Sequence, residues 1–479
     1  MESALAVLVV DLDGTLTPID TLVESVLQLV KQRPAALFSL PRALLGGRAA
    51  FKHWVAQQAG LDVDQLPWNT EFIEYLQLEH SRGRRIVLAT AAHRGIAEAV
   101  FRRFAFFDDL LCSDREINLK GRYKLEAIQR LVGDHFIYAG DSGADLAVWR
   151  GAAAAILVGA SSTTTAATRK LTRIEREFEH PAQSLQDWLR LLRVHQWLKN
   201  VLLFVPLLTA FSFFESQKWL AAGFAFIAFS IAASGTYILN DLWDLRADRA
   251  HPRKKFRPLA SGRLQIVPAF AMSLLMIACS IGLAAVVSKG YLLALLCYLM
   301  LTVTYSWVLK YYVLLDVIIL STLYTLRIVA GALAVEVVVS SWLLAFSMFI
   351  FLSLALVKRC AELVSSEQDG RRAAYGRDYR VSDLVVLWPL GVGASLAAVV
   401  VFGLFISAPE TTALYASPAL LWLVAGAMIY WLARLWIKTC RSEMHDDPVV
   451  YAVKNSGSRL TIFGMVAAVI VARFLDVGL

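Results

Sequence analysis

Residues Asn240–Arg263 read NDLWDLRADRAHPRKKFRPLASGR and follow directly on an apolar run long enough to cross a bilayer. Asp241, Asp244 and Asp248 stand at i, i+3 and i+7, so a helix continuing out of the bilayer would carry all three carboxylates on one face. Such a face repels itself unless a cation neutralises it. Mg²⁺ suits it, being commonly held by one or two carboxylates together with substrate phosphates. The basic run His251–Arg257, with Lys254, Lys255 and Arg257, would meet the same phosphates from the other side.

Around this stretch the chain is unevenly apolar. Of 479 residues, 57% are apolar and 18% charged, with a mean hydropathy of +0.56, and the excess lies after about residue 197. Segments of spanning length recur near 198–214, 218–240, 265–287, 290–308, 313–334, 340–357, 383–407, 417–436 and 460–477, which makes nine. Alternate loops between them are rich in Arg and Lys, while the opposite set carries only Lys218 and Lys289. The positive-inside rule therefore puts the rich loops and the N-terminal region in the cytoplasm and the C-terminus outside. The net charge of +8 fits those loops and phosphate-bearing substrates rather than nucleic acid. The five cysteines have no paired spacing, which argues against a disulfide framework or a zinc site and fits a reducing compartment. No basic segment precedes the short apolar run Ala4–Val10, so a strand is expected there and not a signal peptide.

The first 160 residues mix charge and apolar groups as a soluble domain does. Strands are expected at Ala6–Asp11, Ile86–Thr90, Phe136–Gly140 and Ala154–Val158 with helices between, an α/β parallel sheet whose ligands bind beyond the strand ends. Asp11 and Asp13 close the first strand in DLDGTL, Thr90 closes the second, Lys124 opens the helical run Tyr123–Val132, and Asp141 and Asp145 follow in GDSGAD. This ordered set resembles the haloacid dehalogenase (HAD) superfamily of phosphohydrolases. The resemblance implies a Rossmann-like sheet in which Asp11 attacks a phosphoryl group and Asp13 is general acid and base. It also implies that Thr90 and Lys124, with Lys120 as the alternative lysine, hold the phosphate, and that Asp11, Asp141 and Asp145 bind Mg²⁺. The helical insertion at about 18–85 would be a cap that favours small phosphorylated substrates.

Residues 161–182 lose apolar periodicity and are expected to be a linker. Residues 183–197 regain an apolar face through Leu185, Trp188, Leu189 and Leu192 and are expected to lie in the membrane interface. Residues 198–479 then form the all-α membrane domain. Further candidate residues lie in its loops: Lys199 in RVHQWLKN, Asn240, Lys310, Lys358 and Arg359 in KRCAEL, and Tyr375 in RRAAYGRDY. Arg327 sits inside an apolar span, where a cation is costly enough to be a functional candidate. Its structural alternative would be a pair with Asp316, which at about three turns away is too distant within one helix.

Nine spans, R-x-x-x-W-x-K-N before the first and N-D-x-x-D-x-x-x-D after the second resemble the UbiA superfamily of membrane transferases, which mostly move prenyl groups from isoprenyl diphosphates to aromatic acceptors. Here KRCAEL stands where those enzymes carry a second Asp-x-x-x-Asp. With HPRKKFRPLASG, that departure resembles the branch using phosphoribosyl diphosphate (PRPP), the polyprenyl-phosphate phosphoribosyltransferases. The resemblance implies PRPP and a polyprenyl phosphate as substrates, with Asp241, Asp244 and Asp248 holding Mg²⁺ and the basic residues holding phosphates. It leaves self-association open. An isoprenyl diphosphate with a small acceptor is the alternative, and a non-enzymatic membrane scaffold the third.

Overall fold

The computed structural model describes residues 5–114, 118–179, 183–212, 214–373, 377–444 and 448–476. They fall into two compact units. One holds the residues up to Leu192 together with Asp241–Met272; the other holds Arg193–Asn240 and everything from Ser273 onward. The stretch of greatest interest therefore belongs, from Asp241, to the soluble unit, whereas sequence places it in a membrane domain of 198–479.

The first unit is built on a six-stranded, all-parallel sheet of β1 (Val7–Val10), β2 (Ile86–His93), β3 (Asp109–Ser113), β4 (Phe136–Gly140), β5 (Ala154–Val158) and β6 (Arg173–Phe178), in the order β3-β2-β1-β4-β5-β6. Its central strands are unbroken apolar runs because both faces are covered. Leu8, Val10, Ile86, Leu88 and Ile137 bury one face. Val9, Val87, Phe136, Tyr138 and Trp149 bury the other. The sheet has two strands beyond the four expected. β3 is half-polar at its start, and β6 is the charged run RIEREF within the expected linker 161–182, which instead supplies helix Ser162–Arg169 and this edge strand. Its charges face water as an edge strand's do.

The cap is narrower than 18–85. Three helices, α1 (Thr21–Gln32), α2 (Ala36–Leu45) and α3 (Arg48–Gln58), share their own small core around Leu29, Phe51 and Val55. Helix Thr70–Ser81 instead puts Phe72 and Leu76 into the sheet's core. Within 183–197 the helix runs only from Leu185 to Leu192, ending at Arg193, whose φ of 51° breaks the helix.

Among the described residues of the helical region, eight helices are long and apolar enough to cross a membrane: Ser216–Trp243, Ile266–Val287, Lys289–Trp307, Leu315–Val335, Ser341–Gln368, Val381–Ile406, Pro418–Cys440 and Ser456–Phe474. The ninth expected span, 198–214, is a 3₁₀ stretch, Val194–Phe204, followed by a five-residue helix, Val205–Thr209, with Pro206 in its first turn. Its backbone lies directly on span Leu315–Val335. A Cβ on Gly331 would fall 2.1 Å from the carbonyl oxygen of Leu203. Polar bonds stitch the same segment down: Asn200 donates to Ser230 at 3.0 Å and accepts from Arg327 Nε at 3.0 Å.

Gly331→Ala should therefore destabilise the helical unit by about 1–3 kcal/mol through overpacking, lowering its thermal midpoint in detergent. Gly223→Ala, whose added Cβ meets nothing within 4 Å, should leave the midpoint unchanged or higher.

Candidate active site

The ends of β1, β2 and β4 converge on a cavity of about 510 Å³. Asp11 follows β1 directly. Its Oδ1 accepts from Leu12 N at 2.8 Å, and its Oδ2 lies 2.8 Å from Lys124 Nζ. Lys124, in the first turn of helix Arg122–Val132, also donates to Tyr138 Oη at 2.9 Å, and Tyr138 donates to Asp145 Oδ1 at 2.9 Å. Thr90, fully buried in β2, accepts from Ala92 N at 3.0 Å. Lys120 lines the cavity too, but Lys124 is the lysine on Asp11.

Carboxylate oxygens of Asp11, Asp141 and Asp145 all lie within 4.8 Å of one another. A buried trio of hard oxygen donors with a single lysine beside it fits Mg²⁺. The glycine of DLDGTL is required by this crowding: Gly14 has a φ of 75°, and a Cβ there would sit 2.2 Å from Asp141 Oδ2. Burial raises the Asp11 carboxyl, although Lys124 pulls it back. Burial and then Asp145 push Asp141 up to about 8, while burial and then Asp20 push Asp13 to about 7. Burial works against the charge on Lys124, but Asp11 and Asp145 outweigh it and raise its pKa.

The second acidic set is arranged differently from the single-faced helix expected. The span helix stops at Trp243, and Asp244, at φ −92° and ψ 7°, separates it from the short helix Leu245–Ala250. Arg257 Nη1 bridges Asp241 Oδ1 at 3.1 Å and Asp248 Oδ2 at 2.6 Å. Among the described residues Asp241, Asp244 and Asp248 do not close into a trio like that around Asp11. The charge repulsion expected of the three is relieved by a guanidinium drawn from the basic run itself. A cation held at Asp241 would have to displace Arg257 from it. Lys254 and Lys255 are exposed on the turn Lys254–Phe256.

Of the remaining candidates, all in the second unit, two have evident structural partners. Arg327 does not pair with Asp316; it is 5% exposed, bonded to Asn200, to the Leu323 carbonyl at 2.6 Å and to Tyr298 Oη at 3.3 Å, and flanked by the rings of Phe229 and Tyr324. Arg359, expected on phosphate, is fully buried against Asp316 at 2.6 Å and also pairs with Glu362. Asp316 further accepts from Arg377 at 2.9 Å and from Tyr379. Lys199 and Lys310 are buried beside the rings of Tyr324 and Tyr311. Lys358 and Asn240 are half-buried on helices Ser341–Gln368 and Ser216–Trp243. Tyr375 lies outside the described residues.

Several residues at these sites carry no sequence signal of their own. Tyr138 stands two residues before the GDSGAD motif on a buried strand, and that position was the one available clue. Lys52 of α3 reaches under the cap to the Ala91 carbonyl at 2.7 Å and Asn118 at 2.9 Å. Glu24 of α1 receives Arg249 in a bidentate pair, and nothing in either segment announces the other.

Residues 201–456 match the UbiA prenyltransferase family, and residues 8–150 match haloacid dehalogenase-like hydrolases. A protein of Sinorhizobium fredii designated y4nM is 38% identical over 94% of this chain and 88% of its own length. The nodulation protein NoeC of Azorhizobium caulinodans is 38% identical over 57% of this chain and 89% of its own. The decaprenyl-phosphate phosphoribosyltransferase of Corynebacterium glutamicum is 32% identical over 49% of this chain and 72% of its own. With residues 8–150 matched to the hydrolases and residues 201–456, more than half of the chain, to the membrane transferases, the chain belongs to the UbiA prenyltransferase family and carries an N-terminal haloacid dehalogenase-like domain.

Proposed function

We propose that this chain performs two consecutive phosphate reactions on the cytoplasmic face of a membrane. In the first, an oxygen of a polyprenyl phosphate attacks the anomeric carbon of PRPP, the bond to the diphosphate breaks, and 5-phosphoribose passes to the lipid. In the second, the HAD-like domain removes the 5-phosphate. One observation carries the choice of PRPP over an isoprenyl diphosphate. In Lys358–Leu363 the one carboxylate, Glu362, pairs with Arg359, and the neighbouring Asp316 is taken by Arg359 and Arg377. Asp241 and Asp248 share the single, partly exposed Arg257, whereas Asp316 is enclosed by two arginines, which leaves the Asp241 motif as the acidic set more open to a diphosphate. The relatives named as phosphoribosyltransferases support the same choice.

In the transferase, Asp241 and Asp244 anchor the diphosphate end, and the basic residues Lys199, Lys254, Lys255, Lys310 and Lys358 are the candidates for the phosphates. Stabilising a departing diphosphate is largely electrostatic work. In the phosphatase, Lys124 holds Asp11 Oδ2 and the Leu12 amide holds Oδ1, so the carboxylate is fixed before substrate arrives. Asp11 attacks phosphorus, the ester P–O bond breaks, and Asp13 gives its proton to the departing oxygen. Asp13 then takes a proton from the water that cleaves the aspartyl phosphate. A pKa near 7 suits a group that must do both at neutral pH. Asp11, Asp141 and Asp145, and separately Asp241 and Asp244, would hold Mg²⁺, which when bound would screen phosphate charge.

Asp11→Asn in membranes given labelled PRPP and polyprenyl phosphate should cut release of the 5-phosphate by at least about 10³-fold, so that the 5-phosphorylated lipid accumulates. Unchanged product would remove the phosphatase from the sequence of reactions. Asp241→Ala should lower transfer about 100-fold or more, and full activity would sink the metal assignment there. PRPP, and not an isoprenyl diphosphate, should raise the thermal midpoint of the full chain; the reverse result would favour prenyl transfer.

A pH dependence follows from the acidic pocket. Asp13 and Asp141 titrate near 7 and 8 when folded but near 3.8 when unfolded. Without a divalent ion the folded state thus holds protons the unfolded chain has lost, and the soluble unit loses stability as pH rises from about 4 to about 8. Mg²⁺ binding releases those protons. Its stabilising shift in thermal unfolding should therefore be larger at pH 8 than at pH 5.5, and Asp141→Asn should flatten that difference.

A further inference from the structure

Cap helix α2 has two apolar faces, and the fold uses one of them. Ala36, Leu40 and Ala43 pack into the cap's core. Leu37, Phe38, Pro41, Leu44 and Leu45 recur at helical spacing on an arc of about 120° on the other side. All five are exposed, Phe38 at 84% and Leu45 at 88%. A contiguous face of this kind marks a surface that something covers.

Two independent features identify the cover. Between Glu24 and Asp62 there is no carboxylate, while Lys31, Arg33, Arg42, Arg48 and Lys52 are all basic. Lys31 is engaged by the Trp243 carbonyl and Lys52 by Ala91 and Asn118, but Arg33 just before α2 and Arg42 on it are exposed. An apolar face accompanied by cations and no carboxylate of its own segment matches an anionic bilayer surface. The other feature is the phosphatase cavity itself. Leu44 of α2 lines it, and so do Gln265, Ile266 and Val267. Ile266 and Val267 are the first two residues of the candidate span Ile266–Val287, which has a mean hydropathy of 2.4 in its most apolar window. The cavity that ends at Asp11 thus has the start of a membrane helix in its wall. The loop leading into that helix packs tightly on the base of the cap: Gly262, at φ 76°, has room only for hydrogen, since a Cβ would meet Pro18 at 2.7 Å.

We propose that α2 lies in the membrane interface and that the phosphatase cavity is loaded from the bilayer. Its ligand is a phosphate monoester carried on a lipid, with the phosphate at Asp11 and the apolar part along Leu44, Ile266 and Val267. The ligand's chemistry rests on the phosphatase reading above, whereas the membrane contact stands without it.

The test uses the full chain in phosphatidylglycerol vesicles and the double variant Phe38→Glu, Leu45→Glu, both sites being too exposed to unfold the cap. Two Asp11-dependent rates are compared, on polyprenyl-phosphoryl-ribose 5-phosphate in the vesicles and on p-nitrophenyl phosphate in solution. Hydrolysis of the lipid should fall at least about tenfold while the soluble rate stays within about twofold. Equal retention of both rates, or their equal loss, overturns the proposal. Should the unsubstituted chain hydrolyse neither phosphate, the phosphatase reading fails, and photocrosslinking decides the membrane contact. Benzoylphenylalanine placed at Phe38 should then label phospholipid; labelling a second copy of the chain instead overturns the contact.

Discussion

Arg249 and Glu24 meet through bonds of 2.9 and 3.1 Å with side chains only 7% and 8% exposed, and the placement of the acidic stretch depends on that pair. A buried ion pair adds little net stability, because desolvation offsets most of its attraction, but either charge left alone is costly. What the pair supplies is register. Arg249 Nε also donates to the Ala260 carbonyl at 3.0 Å, so one guanidinium fixes both arms of the loop to cap helix α1. Lys31 caps the end of the span helix at the Trp243 carbonyl at 2.7 Å, and Arg246 reaches Asp62 at 2.8 Å. A loop between two apolar helices is thereby made part of the haloacid dehalogenase-like unit.

The unit contains two acidic sets neutralised in opposite ways. Around Asp11 the carboxylates outnumber the cations, and Lys124 is held among Asp11, Asp145 and Tyr138 by a closed set of bonds. Burial first, and the neighbouring carboxylates after it, raise the pKa values of Asp13 and Asp141. Around Asp241 a single arginine serves two carboxylates. Arg257 is 29% exposed, whereas the carboxylates of Asp241 and Asp248 are 4% exposed. Any divalent ion taken up by Asp241 competes with that guanidinium. The first set has one lysine among its carboxylates; the second has its two buried carboxylates already joined by one arginine.

Sequence revealed the features that short-range rules govern. Unbroken apolar runs gave β1, β2, β4 and β5 because strands buried on both faces need no alternation. Asp11, Asp13, Lys124, Asp141 and Asp145 meet in one cavity because parallel strands end on the same side, while Thr90 is buried in β2 outside its lining. Strand β6 was hidden by its charges, which an edge tolerates and a pattern search reads as linker. The helix break at Asp244 was equally hidden. Periodicity places Asp241, Asp244 and Asp248 on one face only if the helix continues, and it does not: Asp244 breaks it, and Arg257, sixteen residues on from Asp241, joins Asp241 to Asp248 across the break.

The expected first span shows where composition stops being informative. Residues 198–214 are apolar enough to cross a bilayer, yet the chain there runs as a 3₁₀ stretch and a short helix. Backbone groups outside regular helices must find partners in a nonaqueous setting. Here the side chains help by crossing to neighbouring helices: Trp197 donates to Ser234 at 2.9 Å, and Asn200 joins Ser230 to Arg327. That explains a cation inside span Leu315–Val335 without recourse to substrate. Arg327 is held by Asn200, by a carbonyl of its own helix and by three aromatic rings, so its charge is dispersed over fixed dipoles and π faces rather than paired with a carboxylate. An intramembrane arginine is thus a pointer to function only after its hydrogen bonds have been counted, and in this protein the count assigns Arg327 to holding the broken segment in place.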